Sequence, residues 1–167
     1  EFNFLSNGLA SGNNILEAVL HGMYECIERD AITILNQILP NPSQNMYYEV
    51  DLETINNPVI KHLIQQITQA NLKLYLFNCT LDIKLPIYKA IIKDSKFHHL
   101  SSVVGYGANL DSDQAIIRAI TEAAQGRAVF IGGARDDIQT YQYELHQYSN
   151  LVRSKNKTYP VKPLLLK

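Results

Sequence analysis

The sequence predicts an α/β (α+β) fold in which a mixed β-sheet is packed with helices. Three observations support this prediction: long segments with the 3.6-residue apolar period of helices, short runs rich in β-branched and aromatic residues, and interleaving of the two kinds along the chain. With 167 residues, 46% hydrophobic and 19% charged, the chain has the size and composition of one globular domain with a core of its own.

Helices are predicted in four segments, most of them bounded by residues that favour a helix end. Asn13 or Asn14 can accept hydrogen bonds from the first turn of the first helix, and Pro58 suits the first turn of the second. Gly132 and Gly133 close the third, while the fourth is polar and rich in tyrosine. The four segments are residues 15–39, 58–70, 114–131 and 136–148.

Short runs of apolar and β-branched residues predict strands. Residues 72–79 and 86–93 are expected to pair with each other in a hairpin or sheet. A later, short strand is expected to end at Gly105-Tyr-Gly107, which alone is a weak signal for a phosphate-binding loop. The predicted strands are residues 1–5, 46–52, 72–79, 86–93 and 101–104.

Charge and composition disfavour several classes of function. A net charge of −1, without a strong basic cluster, argues against nucleic-acid binding. With no bilayer-spanning apolar run and no signal peptide, we expect no membrane partner and a cytoplasmic location. Cys26 falls among apolar neighbours, so a reduced, packed thiol is expected there. Because the chain opens on Glu1 rather than methionine and ends on an apolar segment, we expect a fragment of a longer protein, truncated at both ends.

Acidic residues at helical spacing form the most informative pattern in the chain. Positions three and four apart share one face of a helix, so two predicted helices each carry a polar stripe that contains carboxylates. Apolar residues occupy most of the remaining surface of both helices. The first stripe consists of His21, Glu25, Glu28 and Arg29, and the second of Arg118, Glu122 and Gln125.

The two stripes have two interpretations. Glu–Arg pairs at this spacing are common solvated features worth about 0.2 to 0.5 kcal/mol each. Alternatively, the two stripes brought together would form an oxygen-rich pocket suited to a hard divalent cation, which usually keeps substrate phosphates as further ligands. The apolar surroundings favour the second interpretation, because carboxylates on a mostly buried helix need partners.

Five short motifs resemble those of the YcaO family of ATP-dependent enzymes that modify peptide backbones. They extend, with gaps, over residues 6–137, and their order makes the resemblance more specific than any one of them. The motifs are Ser6-Asn-Gly-Leu-Ala-Ser-Gly12; Glu17-Ala followed by Glu25-Cys-Ile-Glu28-Arg29-Asp30; Gly105-Tyr-Gly-Ala-Asn-Leu-Asp111; Arg118-Ala-Ile-Thr-Glu122-Ala-Ala-Gln125-Gly-Arg127; and Gly132-Gly-Ala-Arg135-Asp136-Asp137.

The resemblance implies an activity. ATP would phosphorylate a peptide backbone amide, as in azoline formation or thioamidation during the biosynthesis of ribosomally made, modified peptides. Some family members are known only as accessory factors of a ribosomal-protein methylthiotransferase. The implied ATP site is not a P-loop, and the chain contains no G-x-x-x-x-G-K-[ST] motif.

The resemblance also implies cofactors and site residues. The cofactors would be ATP and Mg²⁺, and no catalytic residue is assigned. Matched by position, Glu25, Glu28 and Glu122 would be metal ligands. The residues that would contact ATP or its phosphates are Asn7, Ser11, His21, Arg29, Gln125 and Arg127.

The chain departs from the family pattern in four ways. His21 stands where many members have serine, and Asn109 replaces a histidine, which puts a proton-transfer role at that position in doubt. The proline-rich carboxy terminus of many cyclodehydratases and the amino-terminal third of a full domain are not visible in the sequence.

The implied partners are a peptide or protein substrate, a TfuA-like or E1-like partner protein, and a second copy in a homodimer. Two alternatives remain open at this point. One is a catalytically incomplete YcaO-like module that binds a peptide or partner protein. The other is an unrelated α/β domain whose glutamates form only surface ion pairs.

Overall fold

A computed structural model describes residues 6–38, 48–94, 102–131 and 158–159. Within these residues the chain forms three α-helices and a five-stranded sheet. A π-helical turn, Ile34–Ile38, follows the first helix, and a 3₁₀ turn, Leu52–Thr54, follows the first strand. In chain order the elements are α1 Ile15–Thr33, β1 Tyr48–Val50, α2 Pro58–Gln69, β2 Leu72–Asn78, β3 Ile87–Asp94, β4 Ser102–Ala108, α3 Ser112–Ile131 and β5 Thr158–Tyr159.

The sheet has the strand order β4-β3-β2-β1-β5, so β4 forms one of its edges. Neighbouring strands from β4 to β1 pair antiparallel, whereas β1 and β5 pair parallel, which makes the sheet mixed. Between β3 and β4 the register places Lys89 opposite Tyr106 and Tyr88 opposite Gly107. The β2–β3 hairpin and the mixed sheet confirm the sequence predictions.

Each face of the sheet has its own apolar core, and the helices divide between them. Residues of α2 and α3 pack on one face against Leu76, Tyr88 and Ile92. On the other face, α1 contributes Tyr24 to a core that also contains Ile87. Because α1 and α3 lie on opposite faces, they can approach each other only across the β4 edge.

Helix α3 lies unusually close to β4, because both surfaces are made of small residues. A Cβ atom added to Gly105 would come within 2.3 Å of the Ala119 carbonyl oxygen, and one added to Gly107 within 2.2 Å of the Ala115 carbonyl oxygen. The alanines at this contact are fully buried. The Gly-Tyr-Gly segment is therefore the part of β4 that fits against α3, and it belongs to the strand rather than to a phosphate-binding loop.

The start of α1 is fixed by local polar contacts. The Asn14 side chain accepts a hydrogen bond from the Glu17 backbone N–H at 3.0 Å, as predicted for a helix cap. Before the helix, the chain crosses α1 at Gly22, where an added Cβ would lie 2.7 Å from the Gly8 carbonyl oxygen. Glycine at position 22 therefore allows the amino-terminal loop, residues 6–14, to lie directly on the helix.

The described residues confirm the positions of the three predicted helices and of the four predicted strands that fall within them, with small shifts at the ends. The largest differences are at α1, whose α-helical part ends at Thr33 before a π-helical turn, and at β4, which continues through Gly107 to Ala108. The predicted strand at residues 1–5, the two prolines after α1, the glycine pair after α3 and the helix at 136–148 lie outside the described residues.

One premise of the sequence interpretation is wrong: α1 is not mostly buried. Val19 and Met23 are each 54% exposed and Leu20 is 43% exposed, and Cys26 is exposed rather than packed. The apolar pattern of α1 therefore includes an outer face that the described residues leave open. In this part of the chain no helix combines the length and apolar character needed to cross a membrane.

Candidate functional site

A cleft of about 420 Å³ opens at the β4 edge of the sheet, between α1 and α3. Its α1 wall carries the first polar stripe and its α3 wall the second, so the structure brings the two stripes together. Leu9 of the amino-terminal loop also lines the cleft. The remaining lining residues are His21, Tyr24, Glu25, Glu28, Arg29, Tyr106, Gly107, Ala108, Arg118, Thr121, Glu122 and Gln125.

Glu25 holds the amino-terminal loop against the α1 wall. Its Oε2 accepts a hydrogen bond from the Gly8 backbone N–H at 3.0 Å, and its Oε1 lies 3.8 Å from Nη2 of Arg29 one turn later. The Gly8 contact is the stronger of the two, since the Arg29 side chain is more than half exposed and an ion pair of that kind contributes little. Glu25 thus links the loop to the cleft.

Glu28 is the most perturbed acid of the cleft. Its pKa is raised from 4.5 to about 7, chiefly by burial, with a further upward contribution from the Glu122 and Glu25 carboxylates that Arg29 and Arg118 partly offset. The order of causes places desolvation first and Glu122, from the opposite wall, second. Because Glu122 acts on Glu28 from another helix, the acidic groups of the two walls lie close enough to repel each other.

The α3 wall is tied to the edge strand by Glu122. Desolvation raises the pKa of this carboxylate above its ordinary value. A hydrogen bond accepted from the Tyr106 backbone and the charge of Arg29 both lower the pKa, but by less. The residue as a whole is exposed, so this desolvation reflects the walls around the carboxylate rather than a buried side chain. Glu122 therefore lines the cleft while its carboxylate is hydrogen-bonded to the backbone of β4.

The chemistry of the cleft fits a divalent cation that arrives with phosphate groups. Three carboxylates face two guanidinium groups, and two of the acids have raised pKa values, so the site favours added positive charge. Among the described residues no three His, Cys, Asp or Glu side chains are gathered closely enough to hold a metal ion by themselves. A Mg²⁺ ion bound by one or two carboxylates and completed by phosphates requires no such cage.

Three predicted nucleotide contacts do not line the cleft. Asn7 and Ser11 are exposed, each two residues from Leu9, and the Ser11 carbonyl oxygen lies 3.3 Å from Nδ1 of His21. Because a carbonyl can only accept, this contact puts the proton on Nδ1 and leaves Nε2 free to serve the cleft. Arg127 instead donates from Nη2 to Asp94 Oδ2 at 2.8 Å.

Tyr24, Tyr106 and Thr121 line the cleft although the sequence pattern assigned them no role, and Arg118 was placed on the stripe without a function. The helical spacing that selected Glu28 also contains Tyr24, four residues earlier, so this residue was within reach of the same rule. Tyr106 required the knowledge that β4 is an edge strand. Beneath Tyr106, the buried Lys89 places Nζ 5.4 Å from the centre of the ring.

Asn109, which replaces the family histidine, lies at the junction between β4 and α3 rather than in the lining of the cleft. Its Oδ1 accepts a hydrogen bond from the Asp111 N–H at 2.9 Å, and its own N–H donates to the Pro86 carbonyl oxygen at 3.2 Å. Asp111 in turn accepts from the Asp113 N–H at 2.9 Å. In this structure Asn109 therefore shapes the turn that begins α3.

Comparison with known proteins identifies the family. A profile of the YcaO cyclodehydratases, which bind ATP and Mg²⁺, matches residues 2–163. A protein encoded in the tfuA 3′ region of Rhizobium leguminosarum bv. trifolii is 38% identical over 147 residues, which is 83% of this chain. The match covers 34% of the relative, so the chain spans about a third of that protein's length.

Solved structures agree in fold. A heterocyclase in complex with substrate and cofactor superposes with a TM-score of 0.71 at 26% identity, over 95% of this chain and 21% of that one. The YcaO protein of Methanopyrus kandleri bound to AMPPCP and Mg²⁺ has a TM-score of 0.68 at 20% identity, over 96% of this chain and 41% of that one. The predicted fold class and the predicted cofactors, ATP and Mg²⁺, are confirmed at the level of the family, and the chain belongs to the YcaO family.

Proposed function

We propose that this chain carries the magnesium–nucleotide site of an enzyme that phosphorylates a peptide backbone amide at the expense of ATP. The observation that carries the proposal is the convergence of Glu25 and Glu28 with Glu122 on one cleft. The acids come from two helices on opposite faces of the sheet, so their meeting is a product of the fold. Membership of a family that uses ATP in peptide modification supports the same conclusion.

The residues of the cleft would divide the work as follows. Glu25, Glu28 and Glu122 would be the metal ligands, one or two of these carboxylates binding a Mg²⁺ ion together with phosphate oxygens, whose charge the ion neutralises when bound. Arg29 and Gln125, with Nε2 of His21, would contact phosphate oxygens or the base, and Arg118 would oppose charge that develops during transfer. Asn7 and Ser11 would reach the nucleotide from the loop that Glu25 holds through Gly8.

The reaction that this site would serve is a dehydration driven by ATP. A nucleophile, either a Cys, Ser or Thr side chain of the substrate or external sulfide, adds to the amide carbonyl. The resulting oxyanion attacks the γ-phosphorus and ADP leaves. Phosphate then departs with the former amide oxygen, so that ATP ends as ADP and phosphate and the peptide gains an azoline or a thioamide. The protein contributes positioning and charge stabilisation more than covalent chemistry.

The substrate would be a peptide or protein. The relative encoded beside tfuA makes a TfuA-like protein the partner we favour over an E1-like one. The cytoplasm, where ATP is plentiful, remains the location we propose, and a homodimer remains the assembly we propose.

A second candidate function has an observation in its favour. Asn109 holds a turn instead of presenting a histidine, and the outer face of α1 is apolar and open. Both features would suit a catalytically incomplete module that binds a peptide or partner protein. The retained acids of the cleft argue against it, because a module without nucleotide gains nothing from carboxylates that repel each other.

Titration calorimetry of the purified protein with ATP tests the proposal. We expect binding that requires Mg²⁺ and that weakens at least tenfold in Glu25→Gln and in Glu122→Gln. Asp30→Asn is the matched control, because Asp30 is an exposed acid of α1 outside the cleft lining. Binding by the wild type without Mg²⁺ dependence, or equal weakening in the control, would contradict the assignment, and no binding at all would favour the second candidate.

A further inference from the structure

Arg127 occupies a different face of α3 from the residues of the cleft. It follows Glu122 by five positions, which on an α-helix amounts to about 140° of rotation and 7.5 Å of rise. It follows Ala123 by four and Ile120 by seven, and both of these residues are fully buried against the sheet. Arg127 therefore extends the inner, sheet-facing stripe of α3 rather than the polar stripe.

The partner of Arg127 is the last residue of β3. Arg127 Nη2 donates to Asp94 Oδ2 at 2.8 Å, and the two side chains are 17% and 7% exposed. Asp94 lies at the opposite end of β3 from Ile87, which is paired with Ala108 at the cleft end of β4. The ion pair thus joins the carboxy-terminal half of α3 to the end of β3 that lies opposite Ile87.

The second terminal nitrogen of the guanidinium group, Nη1, indicates that the Arg127 side chain is held firmly in this position. Within the described part of the chain, Nη1 of Arg127 is the only buried side-chain nitrogen or oxygen without a hydrogen-bond partner. A buried donor without an acceptor is unfavourable, so the fold keeps it only because the Nη2 contact and the surrounding packing hold the side chain. Such a group cannot swing toward the cleft without abandoning a buried carboxylate.

We infer that Arg127 is a positioning residue that clamps α3 to β3 through Asp94, and not the phosphate contact that the family resemblance implies. Because α3 and β4 meet without intervening side chains at Gly105 and Gly107, a small shift of α3 along β4 would move Glu122 away from the Tyr106 backbone. The clamp opposes that shift from a position about 7.5 Å further along α3. This inference deepens the proposed function and depends on it for the consequences at the cleft.

Two properties separate a clamp from a phosphate contact. One is whether substitutions of Arg127 and Asp94 have non-additive effects on the stability of the protein, and the other is whether nucleotide binding can be restored in a variant that lacks the Arg127 charge. The variants are Arg127→Met, Asp94→Leu and the double variant that carries both. A clamp predicts that each single variant lowers the urea midpoint, because it removes the ion-pair partner of the other buried charge, and that the double variant recovers most of the loss. Arg118→Met, which alters the cleft end of the same helix, is the matched control and should leave the midpoint nearly unchanged.

The second readout is the affinity for ATP with Mg²⁺, measured at urea concentrations well below the unfolding midpoint, where every variant is folded. We expect roughly fivefold to tenfold weaker binding in each single variant and affinity within about threefold of wild type in the double variant. A double variant that binds as weakly as Arg127→Met, or midpoint losses that simply add, would overturn the clamp. If the wild type itself binds no ATP, the proposed function fails while the urea series still decides whether Arg127 and Asp94 act as a pair.

Discussion

The two walls of the cleft are built differently. On the α3 side, alanines lie against glycines of β4 with no side chain between them, and Arg127 holds the carboxy-terminal half of the helix to Asp94. On the α1 side, Tyr24 and Ala31 are buried, but the outer face is open and the amino-terminal loop is held by the Glu25–Gly8 contact. One wall is fixed by packing and the other rests partly on polar contacts.

This difference suggests how the cleft accommodates a charged ligand. A packed wall keeps Glu122 at a constant position, because tightly packed interiors resist displacement. The α1 wall carries Glu28, the acid whose charged form is most disfavoured by burial and by the neighbouring Glu122 carboxylate, so that its pKa is raised to about 7. We expect a bound cation to stabilise the charged form of Glu28 and to draw α1 and its loop toward α3.

The largest effect is expected from breaking the packed wall. Gly107→Ala places a Cβ 2.2 Å from the Ala115 carbonyl oxygen, which is backbone and cannot move aside, so the free energy of unfolding should fall by about 3 kcal/mol. Gly126→Ala is the control, because its Cβ would meet only Cγ1 of Val103, at 2.9 Å. Urea unfolding measures both, and equal losses would mean that the close approach of α3 to β4 is not essential.

A smaller effect is expected at the polar contact of the other wall. Glu25→Ala removes the acceptor of the Gly8 N–H, and we expect a loss of about 1 kcal/mol. Glu25→Gln keeps an acceptor oxygen and should lose less. Hydrogen exchange at the Gly8 amide provides a local check, since exchange as slow in Glu25→Ala as in the wild type would show that the contact does not hold the loop.

Glu28 gives the stability of the ligand-free protein a defined pH dependence. Its folded pKa, about 7, lies above the ordinary 4.5, so the folded state binds the proton more tightly. The stabilisation is therefore complete below about pH 4.5 and is lost as the pH rises through 7. Relative to wild type, Glu28→Gln should gain thermal stability progressively between pH 5 and 8. A difference that does not change with pH would contradict this account.

The smallest effect is expected on the outer face of α1. Val19 is more than half exposed, so Val19→Thr should change the free energy of unfolding by no more than about 0.5 kcal/mol. Ile120→Val, at a fully buried site of α3, should cost about 0.5 to 1.5 kcal/mol in the same assay. A large loss in Val19→Thr would mean that this face is covered in the protein in solution.

The sequence predicted local structure well and spatial relations less well. Helical spacing selected the right faces of α1 and α3, because that spacing is a property of the helix alone. It could not show that α1 and α3 lie on opposite faces of the sheet, nor that β4 is an edge, because strand order depends on distant pairing. Arg127 shows the same limit. Its partner, Asp94, is 33 residues away in the sequence, and the two meet only because of how α3 packs against β3.

The burial of α1 was misjudged for a related reason. An apolar residue count describes which residues can be buried, whereas burial depends on what the fold places against them. Val19 and Met23 read as core residues by type, yet no described element covers them. In contrast, the alanine stripe of α3 and the Gly-Tyr-Gly segment were both visible in the sequence, and only their mutual fit was not.

The most direct test of a shared magnesium–nucleotide centre is a double-mutant cycle between Glu28 and Glu122 on the affinity for ATP with Mg²⁺. If both carboxylates serve one ion, Glu28→Gln and Glu122→Gln should each weaken binding at least tenfold, and the double variant should be little weaker than either. Losses that multiply in the double variant would show that the two acids act at separate places, and the account of the cleft would be wrong.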